Sequence, residues 1–240
     1  KRGIAQGIVS MGSSGATIAA ASFLLGTFQG IERGTLGGPI IGLSPNTMIV
    51  DVGVNVDCKP QQLADFAALG ATFARVLRGV DNPRVATLSV GAEEGKGNRQ
   101  VKETIDILKN SSLNYIGNVE GSDLPFDRAD VVVSDGFTGN VVMKLTESLG
   151  EAISQLIRDK GAGEIANGLA DEIRDLTNPV ALVGGGPLLG VKGIAIVGHG
   201  RADAEAVSRA IHTARDLVEK DFVSEAEREL ADLRASQPVT

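Results

Sequence analysis

Apolar runs alternate with segments of helical period along this chain, and the alternation predicts an α/β fold. Runs rich in β-branched residues at 47–56, 84–90 and 129–134 predict buried strands. The segment that follows Pro60 repeats apolar residues at spacings of three and four, which predicts a helix. Strands that alternate with helices pair in parallel through right-handed crossovers. We therefore expect one domain over residues 1–240, built on a parallel-rich, doubly wound sheet.

Four strand ends share one arrangement, in which an apolar strand runs into a Gly-rich polar loop and then into a helix. The four strings are GIVSMGSSG (7–15), ATLSVGAEEGKGN (86–98), VVVSDGFTGN (131–140) and IAIVGHGRAD (194–203). In a parallel sheet such ends lie along one edge, where open α/β sheets bind ligands. Glycine admits a close backbone approach, and a helix N-terminus offers free N–H groups and a positive dipole end. The strings predict a site for an anionic small molecule at one edge of the sheet.

Two apolar segments raise the question of membrane contact. Residues 16–25 (ATIAAASFLL) are about half of the ~20 residues needed to cross a bilayer, so we expect a buried helix that faces the sheet. Residues 141–183 contain two stretches of helical period joined at Gly161-Ala162-Gly163. This pattern predicts a helical hairpin that protrudes from the sheet.

Composition narrows the class of function. The single Cys58 excludes an internal disulfide and indicates a reducing compartment, which favours a cytoplasmic protein. A net charge of −7 argues against wide nucleic-acid contact, which needs a basic face. The two histidines and the cysteine lie far apart in sequence and do not form a zinc pattern. We expect no metal, no other cofactor and no nucleic-acid partner.

The first Gly-rich loop carries Ser10, Gly12, Ser13 and Ser14. Their hydroxyl and N–H groups can hold phosphate oxygens, and capping of the following helix explains the serines equally well. The loop lacks the Gly-Lys-Ser/Thr of a Walker P-loop and the second glycine of the dinucleotide fingerprint.

The second loop, residues 93–98 (EEGKGN), places opposite charges between glycines at a strand end. Lys96 is a candidate phosphate ligand, Asn98 a candidate hydrogen-bond donor and Glu93 a further candidate. The alternative is a structural salt bridge from Glu93 or Glu94 to Lys96.

The third loop leads from Asp135 into a helix that carries Asn140 and Lys144. Residues four apart share a helix face, so these two side chains can point at one ligand. Asp135 then orients a donor or binds Lys144. The alternative is an Asx turn and N-cap at Asp135, with Lys144 in solvent.

His199 lies between two glycines in the fourth loop, where direct substrate contact or acid–base work is as plausible as a structural role. His212 falls within a helical pattern and is expected to be structural or solvated. Asn55 and Asp57, at the end of the strand predicted at 47–56, are further candidates for the binding pocket.

Taken together, these strings resemble one family, the acyl-carrier-protein:phosphate acyltransferases of bacterial phospholipid synthesis (PlsX). The resemblance covers nearly the whole chain in order and spacing. It is carried by DVGVNVDCKP (51–60), SVGAEEGKGN (89–98), YIGNVEG (115–121), ADVVVSDGFTGNVVMK (129–144), GGGPLLG (184–190) and GHG (198–200).

The resemblance implies a fold like that of isocitrate and isopropylmalate dehydrogenases and of phosphotransacetylases, usually as a homodimer. It implies transfer of a fatty acyl group from the carrier protein's thioester to inorganic phosphate, which gives acyl phosphate. On this hypothesis Lys96, Lys144 and the Ser13-Ser14 loop hold phosphate. Asn140 or His199 donates to the thioester oxyanion or protonates the departing thiol. In the family such a hairpin meets the membrane, which implies peripheral contact at the inner face of the cell membrane.

The chain departs from the family pattern at three places. The family's initial strand and its Asp-Ala-Met-Gly-Gly-Asp loop are not found, the first loop lacks the family's asparagine, and the hairpin is shorter with a polar tip at 158–168. Two alternatives therefore stay open. One is a phosphotransacetylase-like enzyme that uses acyl-coenzyme A, and the other is a truncated, non-catalytic chain that binds acyl carrier protein.

Overall fold

The computed structural model describes residues 3–161, 163–178, 184–200 and 202–236. In this part of the chain an eight-stranded sheet is flanked by helices. The strands are β1 (Gly7–Ser10), β2 (Thr35–Pro39), β3 (Met48–Val50), β4 (Val85–Leu88), β5 (Tyr115–Val119), β6 (Val131–Val133), β7 (Gly186–Leu189) and β8 (Ile194–Val197). The helices are α1 (Ser14–Leu25), α2 (Pro60–Arg78), α3 (Arg99–Lys109), α4 (Gly136–Lys160), α5 (Glu164–Thr177), α6 (Ala204–Glu219) and α7 (Phe222–Ala235), with a 3₁₀ helix at Gly121–Phe126.

The sheet is mixed, with strand order β1-β8-β7-β2-β3-β6-β4-β5. Strands β3, β6, β4 and β5 are parallel to one another, and β1 is parallel to β8. Between these two groups, β2 and β7 make antiparallel pairs with each other and with their outer neighbours β3 and β8. The prediction of an α/β fold with a parallel-rich sheet is confirmed.

The prediction that all four Gly-rich loops share one edge is wrong. Three antiparallel pairings separate β3 from β8, so β1 and β8 run opposite to β3, β6 and β4. The loops after β1 and β8 therefore leave the sheet at one edge, and the loops after β3, β4 and β6 leave it at the other. Helix α1 follows β1 at one edge and helix α4 follows β6 at the other. Residues of both helices nevertheless line one cavity, which is described below.

Helix α2 forms the centre of the core. It begins at Pro60, as predicted, and ends at Gly79, which has the left-handed φ of 70° typical of a helix C-terminus. Every residue from 63 to 74 is buried, because the sheet, α3 and α7 all cover the helix. An added Cβ at Gly70 would lie 2.6 Å from Val131 Cγ1, so glycine lets α2 lie directly on β6.

Helix α1 does not lie buried against the sheet, and that prediction is wrong. Only Ala21 is buried, while Leu24 is exposed and Phe23 is 86% exposed. The helix instead separates two cavities that open on its opposite sides.

Helices α4 and α5 form the predicted hairpin, although α4 begins at Gly136 rather than at 141. The two helices approach closely at Gly150, where an added Cβ would lie 1.6 Å from Thr177 Oγ1. The Ser154 hydroxyl donates a hydrogen bond to Ala170 O at 2.5 Å. Ala162 and residues 179–183 of the predicted hairpin lie outside the described residues. Within the described ranges, no helix has both the length and the apolar character required to span a membrane.

Asp65 makes a buried contact between α2 and the C-terminal helix α7. Its Oδ1 accepts hydrogen bonds from Gln61 Nε2 at 3.2 Å and from Arg234 Nη2 at 3.3 Å. Burial raises the pKa of Asp65 to about 6, against the opposing effect of the Arg234 charge. The folded protein therefore takes up a proton near pH 6, whereas the unfolded chain does so near ~3.9.

We predict that the wild type gains stability relative to Asp65→Asn as the pH falls from 7.5 to 4.5. A raised folded-state pKa stabilises the protein below the unfolded-state value, and this contribution is lost as the pH rises through about 6. The difference in free energy of unfolding should shift by ~2 kcal/mol toward the wild type at pH 4.5. Urea unfolding at both pH values measures it, and a pH-independent difference would contradict the assignment.

Candidate active site

A cavity of about 690 Å³ lies over one face of β2. Its floor is the backbone of β2, including Gly37 and Gly38, and its two walls are α1 and the first turns of α4. Apolar side chains line much of it, among them Ile18, Leu36, Ile40, Val52, Val54 and Met143. The polar and charged side chains of the cavity are Ser14, Ser22, Glu32, Arg33, Asn140, Lys144, Glu147 and His199.

The N-terminus of α1 faces this cavity with its first N–H groups free of a side-chain cap. Ser14 and Gly15 line the cavity, and the N-cap residue Ser13 makes no side-chain capping bond. Ser13 contributes only its backbone carbonyl, which accepts hydrogen bonds from the backbone N and the hydroxyl of Thr17. Free N–H groups at the positive end of a helix dipole form an anion position.

The other helices that follow Gly-rich strand ends are capped by their own side chains. Asn98 accepts from Val101 N at 2.9 Å, Asp135 from Thr138 N at 2.7 Å, and Asp203 from Ala206 N at 2.7 Å. These caps satisfy backbone donors that would otherwise be open to a ligand. Asn98 and Asp135 therefore act as helix caps, which is the alternative that the sequence left open for Asp135.

Lys144 and Asn140 line the cavity together, as their spacing predicts. Lys144 pairs with Glu147 Oε2 at 2.6 Å rather than with Asp135. Asn140 Nδ2 lies 3.5 Å from Val52 O, a long contact that leaves most of its donor capacity open. His199 enters the cavity from the loop after β8 and is exposed, whereas His212 is solvated on α6.

Asp51 fixes the loop that borders the cavity after β3. Its buried carboxylate accepts hydrogen bonds from Leu36 N at 3.4 Å, Val54 N at 3.2 Å and Asn55 N at 2.7 Å. Burial raises the pKa of Asp51, and the bonds from Asn55, Val54 and Leu36 oppose that rise. An added Cβ at Gly139 would lie 1.9 Å from Asp51 O, so glycine allows α4 to reach this loop.

The remaining candidates from the sequence lie outside this cavity. Ser10, Gly12 and Ser13 line a second cavity of about 530 Å³ between β1 and the other face of α1, where the Ser10 hydroxyl hydrogen bonds with Thr17 Oγ1 at 2.9 Å. The Asn55 amide is used inside the protein, where it donates to Gly34 O at 3.0 Å and to Asp51 Oδ2 at 2.8 Å.

Asp57, Glu93 and Lys96 are exposed and line neither of these cavities. Glu93 O accepts a hydrogen bond from Asn118 Nδ2 at 2.9 Å. The alternative of a salt bridge to Lys96 is wrong in the described part of the chain, since Glu94 pairs with Lys109 instead.

Four polar or charged residues of the cavity were missed by the sequence analysis: Ser22, Glu32, Arg33 and Glu147. The position of Glu147, three residues after Lys144 on one helix, was a signal for that pair. Arg33 stands in no motif, and only the fold brings it to the cavity. Among the described residues, no three His, Cys, Asp or Glu side chains are placed to hold a metal ion.

Comparison with known proteins identifies one family and several relatives that match most of this chain. The family model for "Fatty acid synthesis protein" matches residues 1–225. A phosphate acyltransferase of Elusimicrobium minutum is 42% identical over 243 residues, which cover 98% of this chain and 71% of the relative. A phosphate acyltransferase of Aquifex aeolicus is 42% identical over 233 residues, which cover 92% of this chain and 68% of the relative.

Solved phosphotransacetylases share the fold. The enzyme from Streptococcus pyogenes has a TM-score of 0.59 at 21% sequence identity, and EutD from Staphylococcus aureus has 0.58 at 20%. Each match covers 90% of this chain and 64% of the solved chain. The chain thus spans about two thirds of the length of these relatives, and the phosphotransacetylase-like fold is confirmed.

We predict that Cys58 resists alkylation in the folded protein. Burial raises the pKa of its thiol to about 12, with the Asp51 charge adding to the effect, and Sγ donates to Asn55 O at 3.2 Å. Because the thiolate is the reactive form, iodoacetamide at pH 7.5 should react at least ~100-fold more slowly than in urea. Mass spectrometry of timed samples measures both rates. Equal rates would show that the thiol is accessible and ionises readily in the folded protein, which would contradict the prediction.

Proposed function

The chain belongs to the fatty acid synthesis protein family, and on that premise we propose that it transfers a fatty acyl group from acyl carrier protein to inorganic phosphate. The products are acyl phosphate and free carrier protein. The observation that supports this assignment is the single cavity lined by Lys144, Asn140, His199 and the uncapped N-terminus of α1.

The reaction needs no activated side-chain nucleophile, because phosphate is itself an anionic nucleophile. A phosphate oxygen attacks the thioester carbonyl carbon, a C–O bond forms, and the C–S bond breaks. The sulfur leaves with the electron pair and takes a proton to become a free thiol. The protein's task is to hold an anion beside the thioester and to stabilise the negative charge on the carbonyl oxygen.

Two groups support a phosphate position in the cavity. The free N–H groups of Ser14 and Gly15 lie at the positive end of the α1 dipole, and the ammonium group of Lys144 lines the same cavity. Glu147 holds the ammonium group at 2.6 Å and so positions it. Placing phosphate beside the thioester can contribute ~7–11 kcal/mol to lowering the barrier. We leave Lys96 out of this site because it lines neither of the cavities described above.

Asn140 and His199 are the proposed donors to the thioester. A hydrogen bond to the developing oxyanion contributes ~3–4 kcal/mol per donor. The amide of Asn140 serves as such a donor without any change of protonation. His199, exposed at the cavity rim, can also donate a proton to the departing sulfur.

An acyl-coenzyme A substrate is the second candidate, and the structural likeness to phosphotransacetylases favours it. Both reactions use a thioester and phosphate, so the same cavity serves either. The rates of phosphate-dependent thiol release from palmitoyl-acyl carrier protein and from palmitoyl-coenzyme A separate the two. Absence of release from both, with a folded protein, would favour the non-catalytic binding alternative.

We also propose that the hairpin mediates homodimer formation by a cytoplasmic protein. Five apolar side chains of α4, each between 44% and 57% exposed, form a stripe with helical spacing: Val141, Leu145, Leu149, Ile153 and Leu156. Contiguous exposed apolar surface of this kind marks interaction sites. The same stripe in a second copy is its proposed occupant, and peripheral contact with a membrane is the competing role.

We predict that Lys144→Ala lowers kcat/KM for phosphate-dependent thiol release by ~100-fold or more, because a charge on the phosphate is lost. The measurement is release of free thiol from palmitoyl-acyl carrier protein over a range of phosphate concentrations. Lys160→Ala, at the far end of the same helix, is the matched control and should behave as the wild type. Turnover within twofold of the wild type, in a variant with an unchanged circular dichroism spectrum, would remove Lys144 from the site.

We predict that Leu149→Glu with Leu156→Glu halves the mass measured by analytical ultracentrifugation, because charge in the stripe opposes its burial. Ile211→Glu introduces the same charge at an exposed position on α6 and should leave the mass unchanged. A monomeric wild type would contradict the dimer. Flotation of that monomer with anionic vesicles, lost in the double variant, would assign the stripe to a membrane.

A further inference from the structure

The cavity has a second cationic end, which the proposed phosphate position does not use. Val197, at the end of β8, pairs with Gly186 at the start of β7, whereas Thr35 pairs with Leu189 at the end of β7. The loop carrying His199 leaves next to Gly186, and Arg33 precedes Thr35 at the opposite end. The length of β7 separates the two ends by ~10 Å along the strand direction.

Arg33 brings an uncompensated charge to that end. Its neighbour Glu32 is paired with Lys59 at 2.9 Å, and Lys144 is paired with Glu147. In the part of the chain that the structure describes, no carboxylate lies within ion-pair distance of the Arg33 guanidinium.

The backbone beside Arg33 is held in place although the side chain is exposed. Gly34 O accepts a hydrogen bond from the buried Asn55 amide at 3.0 Å, and Ile31 N donates to Phe28 O at 3.0 Å. Ile31 and Gly34 are both buried. The backbone that carries Arg33 is therefore fixed beside the cavity.

A second polar group without a partner lies at the same end. Ser22 lines the cavity, and its hydroxyl oxygen is turned inward, where it is buried with no hydrogen-bond partner among the described residues. Ser22 follows Gly15 by about two turns of α1, so it lies ~10 Å farther along the helix than the uncapped N-terminus. A buried hydroxyl without a partner is costly, and rotation of the Ser22 side chain toward the cavity would let a ligand oxygen satisfy it.

We propose that Arg33 and Ser22 bind the phosphodiester of the phosphopantetheine arm that carries the acyl thioester. The inference rests on the proposed function, in which the α1 N-terminus and Lys144 take inorganic phosphate. A guanidinium group matches phosphate oxygens with two parallel N–H donors, and the hydroxyl adds a third. Between the two ends, Ile18, Leu36 and Met143 give the arm an apolar wall, and the cavity volume is in the range that holds such ligands.

The test measures binding of two non-reactive probes, the S-dodecyl thioethers of phosphopantetheine and of pantetheine, by isothermal titration calorimetry. We expect the wild type to bind the phosphorylated probe at least ~10-fold more tightly, because charge-assisted bonds recognise its phosphate. Arg33→Gln should abolish this preference without changing affinity for the pantetheine probe. Arg33→Lys should keep part of it, Ser22→Ala should weaken it, and Arg128→Gln, at an exposed arginine outside both cavities, should leave it intact.

A preference that survives Arg33→Gln would overturn the proposal. So would a raised KM for inorganic phosphate in this variant with the probe preference unchanged, because Arg33 would then hold the other anion. If the wild type releases no thiol from either thioester yet shows a preference that Arg33→Gln abolishes, the binding site stands and the acyltransferase assignment fails. If the wild type turns over without any probe preference, the Arg33 proposal alone fails.

Discussion

The cavity depends on one buried carboxylate. Asp51 binds backbone N–H groups from β2 and from the loop after β3, and it also accepts a hydrogen bond from the Asn55 side chain. That side chain in turn holds Gly34 O, next to Arg33. One side chain therefore connects the floor of the cavity, its bordering loop and its cationic end. Because four donors surround the two carboxylate oxygens, the group can remain buried without a cationic partner.

The connection from a strand end to the N-terminus of the next helix serves two purposes in this protein. Where α3, α4 and α6 follow strands, an Asn or Asp side chain satisfies the first N–H groups of the helix. At α1 the equivalent serine leaves them open, and the open end faces the cavity. Capping stabilises a helix by about 1 kcal/mol, so an uncapped N-terminus gives up some stability and keeps its donors available to an anion.

The sequence predicts the elements of this fold better than it predicts their directions. The β-branched runs mark β3, β4 and β6, and Pro60 marks the start of α2. Strand β2 was not predicted because TLGGP is rich in Gly and Pro, which are depleted in strands. Yet β2 and β7 reverse the sheet, and this reversal determines which loops share an edge.

Site residues on one element were predictable, and contacts between distant elements were not. Asn140 and Lys144 share a helix face by their spacing alone. Arg33 reaches the cavity only because the loop before β2 is fixed by Asn55 and Phe28. Local sequence also does not distinguish a serine that caps a helix from one that leaves it open, since both follow a strand and a glycine.

Gly38, on the floor of the cavity, is a position at which substitution could change the depth of the cavity during evolution. A Cβ added there would meet no atom within 4 Å, and its backbone does not have the positive φ that requires glycine. Side chains of increasing size at this single position would shorten the cavity from below while the surrounding packing stays as it is. The depth of the cavity can thus vary between descendants of this sequence almost independently of the stability of the fold.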